Sequence, residues 1–374
     1  MGRHPVKTAV LTSSRADFGI YLPLLKKLQS DEAFDLEIIA FGTHPEDKFG
    51  FSLQHIINQG FRIQHSLKTA PDGDSPGAIS RSMALVTTLM TDVWENSAYE
   101  VVFALGDRYE MFAAVASALP FNLRIAHIHG GESTLGAIDN AFRHSITHMS
   151  HWHFACTEVY RRKIEELTGS ADRTYNTGAL GIDSLSVMNF LSINELKSRF
   201  GVDFSEPSIL ITLHPETIGY EDNARNAKQF IRALEHLNSF QQVITMPNAD
   251  TSGLLIRNLL NDYAAGKKQV ILIENFGSQA YLSAMKYSLL LLGNTSSGFM
   301  EASFFPKWVI NTGNRQDGRI RTPNIVDVAF AHLQIVEAVE RHVFMPVPEF
   351  PPVYGNGDAA DKIIKILRDE FAID

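Results

Sequence analysis

The feature that most restricts the fold of this chain is a regular alternation of short apolar runs with longer amphipathic segments. The apolar runs are rich in Val and Ile, are four to six residues long, and are these nine: Lys7–Thr12, Leu36–Phe41, Val101–Leu105, Arg124–Ile128, His153–Cys156, Ile209–Leu213, Gln242–Met246, Gln269–Ile273 and Ser288–Leu292. Such runs are typical of buried parallel strands. The segments between them have helical spacing, as in Tyr21–Gln29, Ile79–Trp94, Glu110–Leu119, Glu221–Leu237 and Ser278–Met285. This alternation predicts a doubly wound α/β fold.

The length of the chain predicts two domains. At 374 residues it is too long for one ordinary domain, and the strand and helix pattern continues long enough for two sheets. We place the joint near Leu180 to Asn194, which gives domains of residues 1–183 and 184–350. A final amphipathic helix is predicted within residues 358–374, after a Pro-rich tether, and the sequence alone leaves open which domain it packs against.

Charge and cysteine content exclude several classes of partner. The formal net charge is −9, and the absence of a run of Lys or Arg argues against nucleic acid or an anionic membrane as the main partner. The N-terminal apolar run is too short for a signal peptide or a spanning helix, so we expect a cytoplasmic protein. The single cysteine, Cys156, is expected to be a packing residue at a buried strand end.

Ligands of open parallel sheets bind beyond the carboxyl ends of the strands, so the loops there are the candidates for function. The first loop carries Arg15, and two interpretations stay open: a plain turn with Asp17 as helix N-cap, or an anion cradle in which Arg15 meets a phosphate.

The third and fourth strands are followed by acidic residues. Asp107 directly follows a strand, and it is either a carboxylate that faces a ligand or the N-cap of the next helix. The next loop contains two glycines and Glu132, which we expect to project into a cleft. Asp139 and Arg143 are four residues apart on one helix face. They are interpreted either as a functional pair or as an ordinary surface ion pair.

Histidines are dense in the same region, but their spacing matches no closed metal site. His127 and His129 at period two suit a strand lining a polar cleft, and we predict no tightly bound metal. The triplet Asp72-Gly-Asp74 is interpreted as a turn rather than a metal-diphosphate site.

The second half offers its own polar loops. His214 lies at the end of a strand, and two interpretations stay open: a functional histidine or a buried structural one. Asn248 and the pair Phe276-Gly277 follow two further strands. The segment Gly293-Asn-Thr-Ser296-Ser297-Gly298 combines hydroxyls and glycine before a helix, which suits a diphosphate, although helix capping would also explain its serines. Glu301 follows at a distance suited to a ribose diol.

Taken in order, these motifs resemble one known family. The matching stretches are Ser14-Arg-Ala-Asp-Phe-Gly19, Leu105-Gly-Asp-Arg-Tyr-Glu110, His127-Ile-His-Gly-Gly-Glu132, Ala137-Ile-Asp-Asn-Ala-Phe-Arg-His144, Asn176-Thr-Gly178, Pro247-Asn-Ala-Asp250, Gly293-Asn-Thr-Ser-Ser-Gly298 and Gly318-Arg-Ile-Arg321. The chain resembles the hydrolysing UDP-N-acetylglucosamine 2-epimerases, the sialic-acid branch of the UDP-GlcNAc 2-epimerase family. The resemblance implies a GT-B-like fold with two Rossmann-like domains, the active site in the cleft between them, and a C-terminal helix joined to the N-terminal domain.

The resemblance also implies an activity. UDP is eliminated across C1 and C2 to give a 2-acetamidoglucal, and water then adds to release N-acetylmannosamine for sialic-acid-type sugar synthesis. Neither cofactor nor metal is implied, and a homodimer is expected. The implied catalytic residues are Asp107, Glu132, Asp139, Arg143 and His214; the implied UDP and substrate contacts are Arg15, Asn248, Phe276, Gly277, Ser296, Ser297 and Glu301.

Three alternatives remain open at this stage. The nearest is a hydrolysing 2-epimerase acting on UDP-2,4-diacetamido-2,4,6-trideoxyglucose, as in a legionaminic-acid route. A GT-B glycosyltransferase would need an acceptor, and a non-catalytic UDP-sugar sensor would bind without turnover.

Overall fold

The structure is a computed structural model, and it divides into two compact units. It describes residues 4–46, 52–73, 75–133, 138–186, 188–216, 220–247, 253–305 and 307–373. The first unit comprises Met1–Glu132, Asp139–Ser186 and Tyr354–Asp374, and the second comprises Ser133–Ile138 and Val187–Val353.

The first unit is built on a parallel sheet of seven strands in the order β3-β2-β1-β4-β5-β6-β7. The strands are β1 (Val6–Thr12), β2 (Phe34–Ala40), β3 (Ile63–Ser66), β4 (Val101–Leu105), β5 (Ile125–Ile128), β6 (Trp152–Ala155) and β7 (Thr174–Asn176). The helices are α1 (Arg15–Ser30), α2 (Leu53–Asn58), α3 (Pro76–Glu95), α4 (Tyr109–Ala118), α5 (Asp139–His148), α6 (Glu158–Thr168) and α7 (Leu180–Ser186). The strand order reverses between β1 and β4, which is the switch point where parallel sheets bind ligands.

The second unit has a parallel sheet of six strands in the order β10-β9-β8-β11-β12-β13. The strands are β8 (Ser208–Thr212), β9 (Gln241–Thr245), β10 (Val270–Ile273), β11 (Leu290–Gly293), β12 (Trp308–Thr312) and β13 (Ile325–Val328). The helices are α8 (Ile193–Phe200), α9 (Asn223–His236), α10 (Gly253–Ala264), α11 (Gly277–Tyr287), α12 (Glu301–Phe304) and α13 (His332–His342). Its switch point lies between β8 and β11.

Two hydrophobic clusters cover the two faces of the first sheet. One includes α1 residues such as Phe18 and Leu24, and the other includes Met90 of α3 and Met111 of α4. The last helix, α14 (Ala359–Glu370), belongs to the first unit, where Ile363 and Leu367 are fully buried in the cluster with α1. The C-terminal segment therefore completes a core formed more than 300 residues earlier in the chain.

The nine apolar runs all form strands, and the doubly wound α/β prediction is confirmed. Four strands were missed: β3, β7, β12 and β13. Three of these lie at sheet edges, and β3 and β7 are only four and three residues long. Edge strands bury less of their surface, so their sequences carry a weaker apolar signal. The described residues contain no helix long and apolar enough to cross a membrane.

Candidate active site

The turn after β4 presents Asp107 at the carboxyl end of the strand. Gly106 adopts a φ of +75°, a left-handed conformation that glycine accepts readily, and this turns the chain before α4. The N-cap of α4 is Arg108, so the interpretation of Asp107 as an N-cap is wrong. The Asp107 side chain remains 24% exposed and is therefore accessible to a ligand.

The turn after β5 requires its glycine and places Glu132 inside the protein. Gly131 has a φ of +75°, and a Cβ there would lie 2.4 Å from the carbonyl oxygen of Tyr160. His129 also has a positive φ, +63°, which is uncommon for a residue with a side chain and occurs often at functional sites. Glu132 is only 1% exposed.

Arg143, on α5, connects these two turns. Its guanidinium pairs with Asp107 Oδ2 through Nη2 and with Glu132 Oε2 through Nη1 at 3.1 Å, and Nη1 also donates to the His129 carbonyl at 3.1 Å. Because Arg143 is 3% exposed and bonded to these groups, the surface-pair interpretation of Arg143 is wrong. A buried guanidinium that pairs with two carboxylates fixes their separation.

The second oxygen of Glu132 contacts two further side chains. His129 Nδ1 lies 3.1 Å from Oε1, and the Cys156 thiol donates to Oε1 at 3.2 Å. Neither was predicted as a site residue, and Cys156 was expected only to pack. The available signal was positional: His129 and Cys156 follow the adjacent strands β5 and β6, so their side chains share the carboxyl edge of the sheet.

His127 supports this edge as a neutral imidazole. Its Nε2 lies 2.8 Å from the Gly106 carbonyl oxygen and its Nδ1 lies 3.2 Å from the Thr147 hydroxyl. Burial lowers the pKa of His127 to about 3. An uncharged ring with a proton on Nε2 therefore joins β5 to the turn that carries Asp107.

Two other predicted residues of the first unit lie at helix starts. Asp139 is the first residue of α5 and is half-buried. Arg15 is the first residue of α1 and is exposed. The N-cap of α1 is Ser14, so the expectation that Asp17 caps this helix is wrong; Asp17 instead accepts hydrogen bonds from the Ser13 amide and hydroxyl at 2.7 and 3.0 Å.

In the second unit, the ends of β8 and β11 are joined around His214. The His214 amide donates to Asn294 Oδ1 at 2.7 Å, and Asn294 Nδ2 donates to the His214 carbonyl at 2.9 Å. The neighbouring Gly293 has a φ of +133°, and a Cβ there would lie 1.9 Å from the Thr212 carbonyl oxygen. His214 is half-buried, and burial followed by the positive charge of Arg315 lowers its pKa to about 3. The imidazole is therefore neutral near pH 7.

The hydroxyl-rich segment after β11 forms a tight turn rather than the start of a long helix. Ser296–Gly298 is a 3₁₀ helix, and Glu301 is the first residue of the four-residue α12. The N-cap of the 3₁₀ helix is Thr295, whose hydroxyl accepts from the Ser297 amide at 3.4 Å, so Ser296 and Ser297 are not the capping residues. Ser296 is exposed and its hydroxyl is accessible.

The remaining predicted contacts are in two loops. Gly277 begins α11 with a φ of +67°, and its amide donates to Asn275 Oδ1 at 2.7 Å. Phe276 is buried and its ring centroid lies 4.9 Å from that of Phe200. Asn248 and Asp74 lie outside the described residues.

Comparison with known proteins defines first the fold class and then the family. A crystal structure of UDP-GlcNAc 2-epimerase from Neisseria meningitidis, bound to UDP-GlcNAc, matches with a TM-score of 0.82 at 18% identity, covering 97% of this chain and 100% of that chain. The fold is therefore GT-B-like, as expected. Residues 26–368 match the family model described as UDP-N-acetylglucosamine 2-epimerase. The chain belongs to this family, which confirms the resemblance.

Two relatives of this chain are named as hydrolysing 2-epimerases. A GDP/UDP-N,N'-diacetylbacillosamine 2-epimerase (hydrolyzing) from Campylobacter jejuni is 34% identical over 340 residues, covering 90% of this chain and 88% of the relative. A UDP-N,N'-diacetylbacillosamine 2-epimerase (hydrolyzing) from Legionella pneumophila is 28% identical over 362 residues, covering 97% of this chain and 95% of the relative. The protein is thus an enzyme similar to epimerases that act on UDP-linked sugars.

Proposed function

We propose that this protein is a hydrolysing 2-epimerase of a UDP-linked 2-acetamido sugar. The observation that carries the proposal is the pair of carboxylates, Asp107 and Glu132, held on one buried guanidinium at the ends of two adjacent strands. Acid and base groups placed this close together suit a reaction that moves protons to and from neighbouring atoms of one substrate.

The reaction has two stages. A carboxylate removes the proton from C2 while the C1–O bond breaks, its electrons leave with UDP, and a C1–C2 double bond forms. Water then adds hydroxyl to C1 and a proton returns to C2 on the opposite face, which releases the free sugar with C2 inverted. Loss of a good leaving group makes this route feasible, because C2 is not next to a carbonyl and its proton is not acidic.

The residues divide between proton transfer and nucleotide binding. Asp107 and Glu132 are proposed to exchange the C2 proton, with Arg143 orienting them and with Asp139 as a third carboxylate of this set. His129 is added to the set because its Nδ1 contacts Glu132, and among the described residues its Nε2 has no hydrogen-bond partner. The imidazole is therefore proposed to exchange a proton with Glu132 through Nδ1.

Binding of the UDP moiety is assigned chiefly to the second unit. Its proposed contacts are His214, Asn248, Phe276, Gly277, Ser296, Ser297 and Glu301, with Arg15 from the first unit as a further phosphate contact. The exposed Ser296 hydroxyl and the main-chain amides of the 3₁₀ turn suit phosphate oxygens. Neutral His214 suits donation of a hydrogen bond to the departing diphosphate.

We propose UDP-N,N'-diacetylbacillosamine as the preferred sugar nucleotide. This sugar is 2,4-diacetamido-2,4,6-trideoxyglucose, and both hydrolysing relatives described above are named for it. The sequence-based expectation placed UDP-GlcNAc first, and it remains the second candidate because the matching Neisseria structure holds that ligand. The product expected from the first is the corresponding 2,4-diacetamido-mannose derivative, and from the second N-acetylmannosamine.

One experiment tests the reaction and the sugar together. The protein is incubated with each sugar nucleotide in heavy water, and the products are analysed by mass spectrometry and NMR. We expect UDP and a free C2-inverted sugar carrying deuterium at C2, with the higher kcat/KM for the diacetamido substrate. An epimer still linked to UDP would contradict the hydrolytic reaction, and absence of turnover from donor alone would favour a glycosyltransferase or a sensor.

Matched variants link the reaction to the carboxylates. We expect Asp107→Asn and Glu132→Gln to lower kcat by at least about 100-fold, the usual scale of acid–base loss. Asp361→Asn is the control, because Asp361 is an exposed carboxylate on α14 that pairs at the surface with Lys27. Near wild-type turnover in either variant would contradict the proton-transfer role proposed for that residue.

A further inference from the structure

We propose that His129, Glu132 and Cys156 form a binding site for a soft divalent cation of the zinc class, and that an ion bound there inhibits turnover. One nitrogen, one oxygen and one sulfur atom from these buried residues lie within 4.8 Å of one another. The inhibitory part of the proposal rests on the proposed function, whereas the binding part does not. Histidine spacing did not predict this group, because its members come from two separate strand ends.

The distances suit a tetrahedral ion with little rearrangement. Zinc bonds to nitrogen, oxygen and sulfur are about 2.0–2.3 Å long, so neighbouring ligand atoms around the ion are separated by roughly 3.3–3.7 Å. The separations here are 3.1 Å between His129 Nδ1 and Glu132 Oε1, and 3.2 Å between Cys156 Sγ and the same oxygen. For these two pairs, an outward movement of a few tenths of an ångström reaches the spacing around zinc, and the third pair, His129 Nδ1 and Cys156 Sγ, lies within 4.8 Å.

The two oxygens of Glu132 serve different partners. Oε2 lies against Arg143, and Oε1 lies against His129 and Cys156, so a cation at Oε1 need not displace the guanidinium. A thiolate combined with imidazole favours zinc over magnesium or calcium, which prefer oxygen ligands. The site is therefore selective by ligand type.

Charge balance also favours a divalent cation. Once Cys156 is deprotonated, two carboxylates and a thiolate face one guanidinium, which leaves a net charge of about −2. Binding releases the thiol proton to solvent, and His129 binds through Nδ1 as a neutral imidazole with its proton on Nε2. Glu132 then shares its electron pairs with the ion and no longer accepts a proton from substrate.

Cobalt binding tests the site without reference to activity. The full-length protein is freed of metal with a chelator and titrated with Co²⁺, and a thiolate-to-cobalt charge-transfer band is followed in the near ultraviolet. We expect one equivalent to bind, zinc to displace it, and Cys156→Ser to lose the band. The affinity loss in that variant should exceed the roughly 10- to 100-fold typical of losing a supporting group.

The control and the activity measurement separate the two parts of the proposal. His148→Asn removes an exposed imidazole from α5 and should leave cobalt binding unchanged. Micromolar zinc should lower wild-type turnover at least tenfold, reversibly with chelator, and should inhibit Cys156→Ser much less relative to its own zinc-free rate.

Each result has a distinct meaning. No charge-transfer band in the wild-type protein, or an unchanged band in Cys156→Ser, overturns the metal site even if the enzyme turns over. If zinc binds and turnover is unchanged, the proposal that the ion inhibits the enzyme is wrong. Cobalt binding that depends on Cys156 in a protein that does not turn over supports the metal site and contradicts the proposed function.

Discussion

At the scale of single residues, Arg143 holds two acidic side chains close together. Asp107 and Glu132 both bond to its guanidinium. Without that positive charge, the two carboxylates would repel each other. The spacing of the two groups proposed to exchange the C2 proton would then be lost.

Replacing Arg143 tests this dependence. We expect Arg143→Gln to lower kcat/KM by at least about 100-fold and to destabilise the protein by about 3–5 kcal/mol, since one partner of a buried ion pair is removed. Arg143→Lys keeps the charge but loses the fork that contacts both carboxylates, so an intermediate loss is expected. Steady-state kinetics and urea unfolding measure the two effects. Activity of Arg143→Gln within a few-fold of wild type would contradict the assignment.

At the scale of elements, α14 is held to the first unit by a cap from another helix. Asp183 of α7 accepts hydrogen bonds from the amides of Ala359 and Ala360 at 3.0 and 2.7 Å. The residue at the N-cap position itself, Asp358, makes no capping hydrogen bond with its side chain. Burial raises the pKa of Asp183, while these amides act in the opposite direction. The helix therefore starts correctly only when α7 is in place.

The two aspartates give a matched prediction. Asp183→Ala should destabilise the protein by about 1–3 kcal/mol, because two buried amides lose their acceptor. Asp358→Ala should cost only about 0.5 kcal/mol or less, because it loses an exposed ion pair with Lys362. Urea denaturation followed by circular dichroism compares them. Equal losses in the two variants would show that tertiary capping is not what anchors α14.

At the scale of the whole molecule, each unit contains a histidine that is neutral when folded. Burial lowers the pKa of His153 to about 4 in the first unit and that of His214 to about 3 in the second. Both folded values lie below the unfolded value of about 6.5. The stability from these neutral histidines is fully present above pH 6.5 and is lost as pH falls through that window, since the unfolded chain then binds more protons.

We therefore expect the unfolding free energy to fall as pH decreases from 6.5 to 4. His153 is buried on β6. In His153→Gln the decrease in unfolding free energy between pH 6.5 and 4 should be smaller by up to about 3 kcal/mol, and this holds whether or not the variant is less stable at pH 7. Carboxylates also titrate toward acid pH, so the difference between the two proteins is the relevant quantity. Denaturant unfolding at several pH values measures it. If the unfolding free energies of the two proteins changed with pH in parallel, His153 would not contribute to the pH dependence.

The prediction from sequence was strongest where the signal is local. Buried central strands such as β4 and β8 have continuous apolar sequences, and polar residues directly after them could be assigned to strand ends without any tertiary information. The short edge strands β3 and β7 lack that signal. Helix caps were less predictable, because Ser14 and Arg108, rather than Asp17 and Asp107, occupy the N-cap positions.

The sequence by itself determined nine of the thirteen strands in the part of the chain that the structure describes, the fold class and the placement of Asp107, Glu132 and His214 in loops after strands. Only the tertiary structure decided which side chains meet. Arg143 lies 36 residues from Asp107, and Cys156 lies 24 residues from Glu132. Hydrophobic periodicity reports which face of an element is buried, whereas these contacts depend on the order of strands in the sheet, so they appear only when the chain is folded.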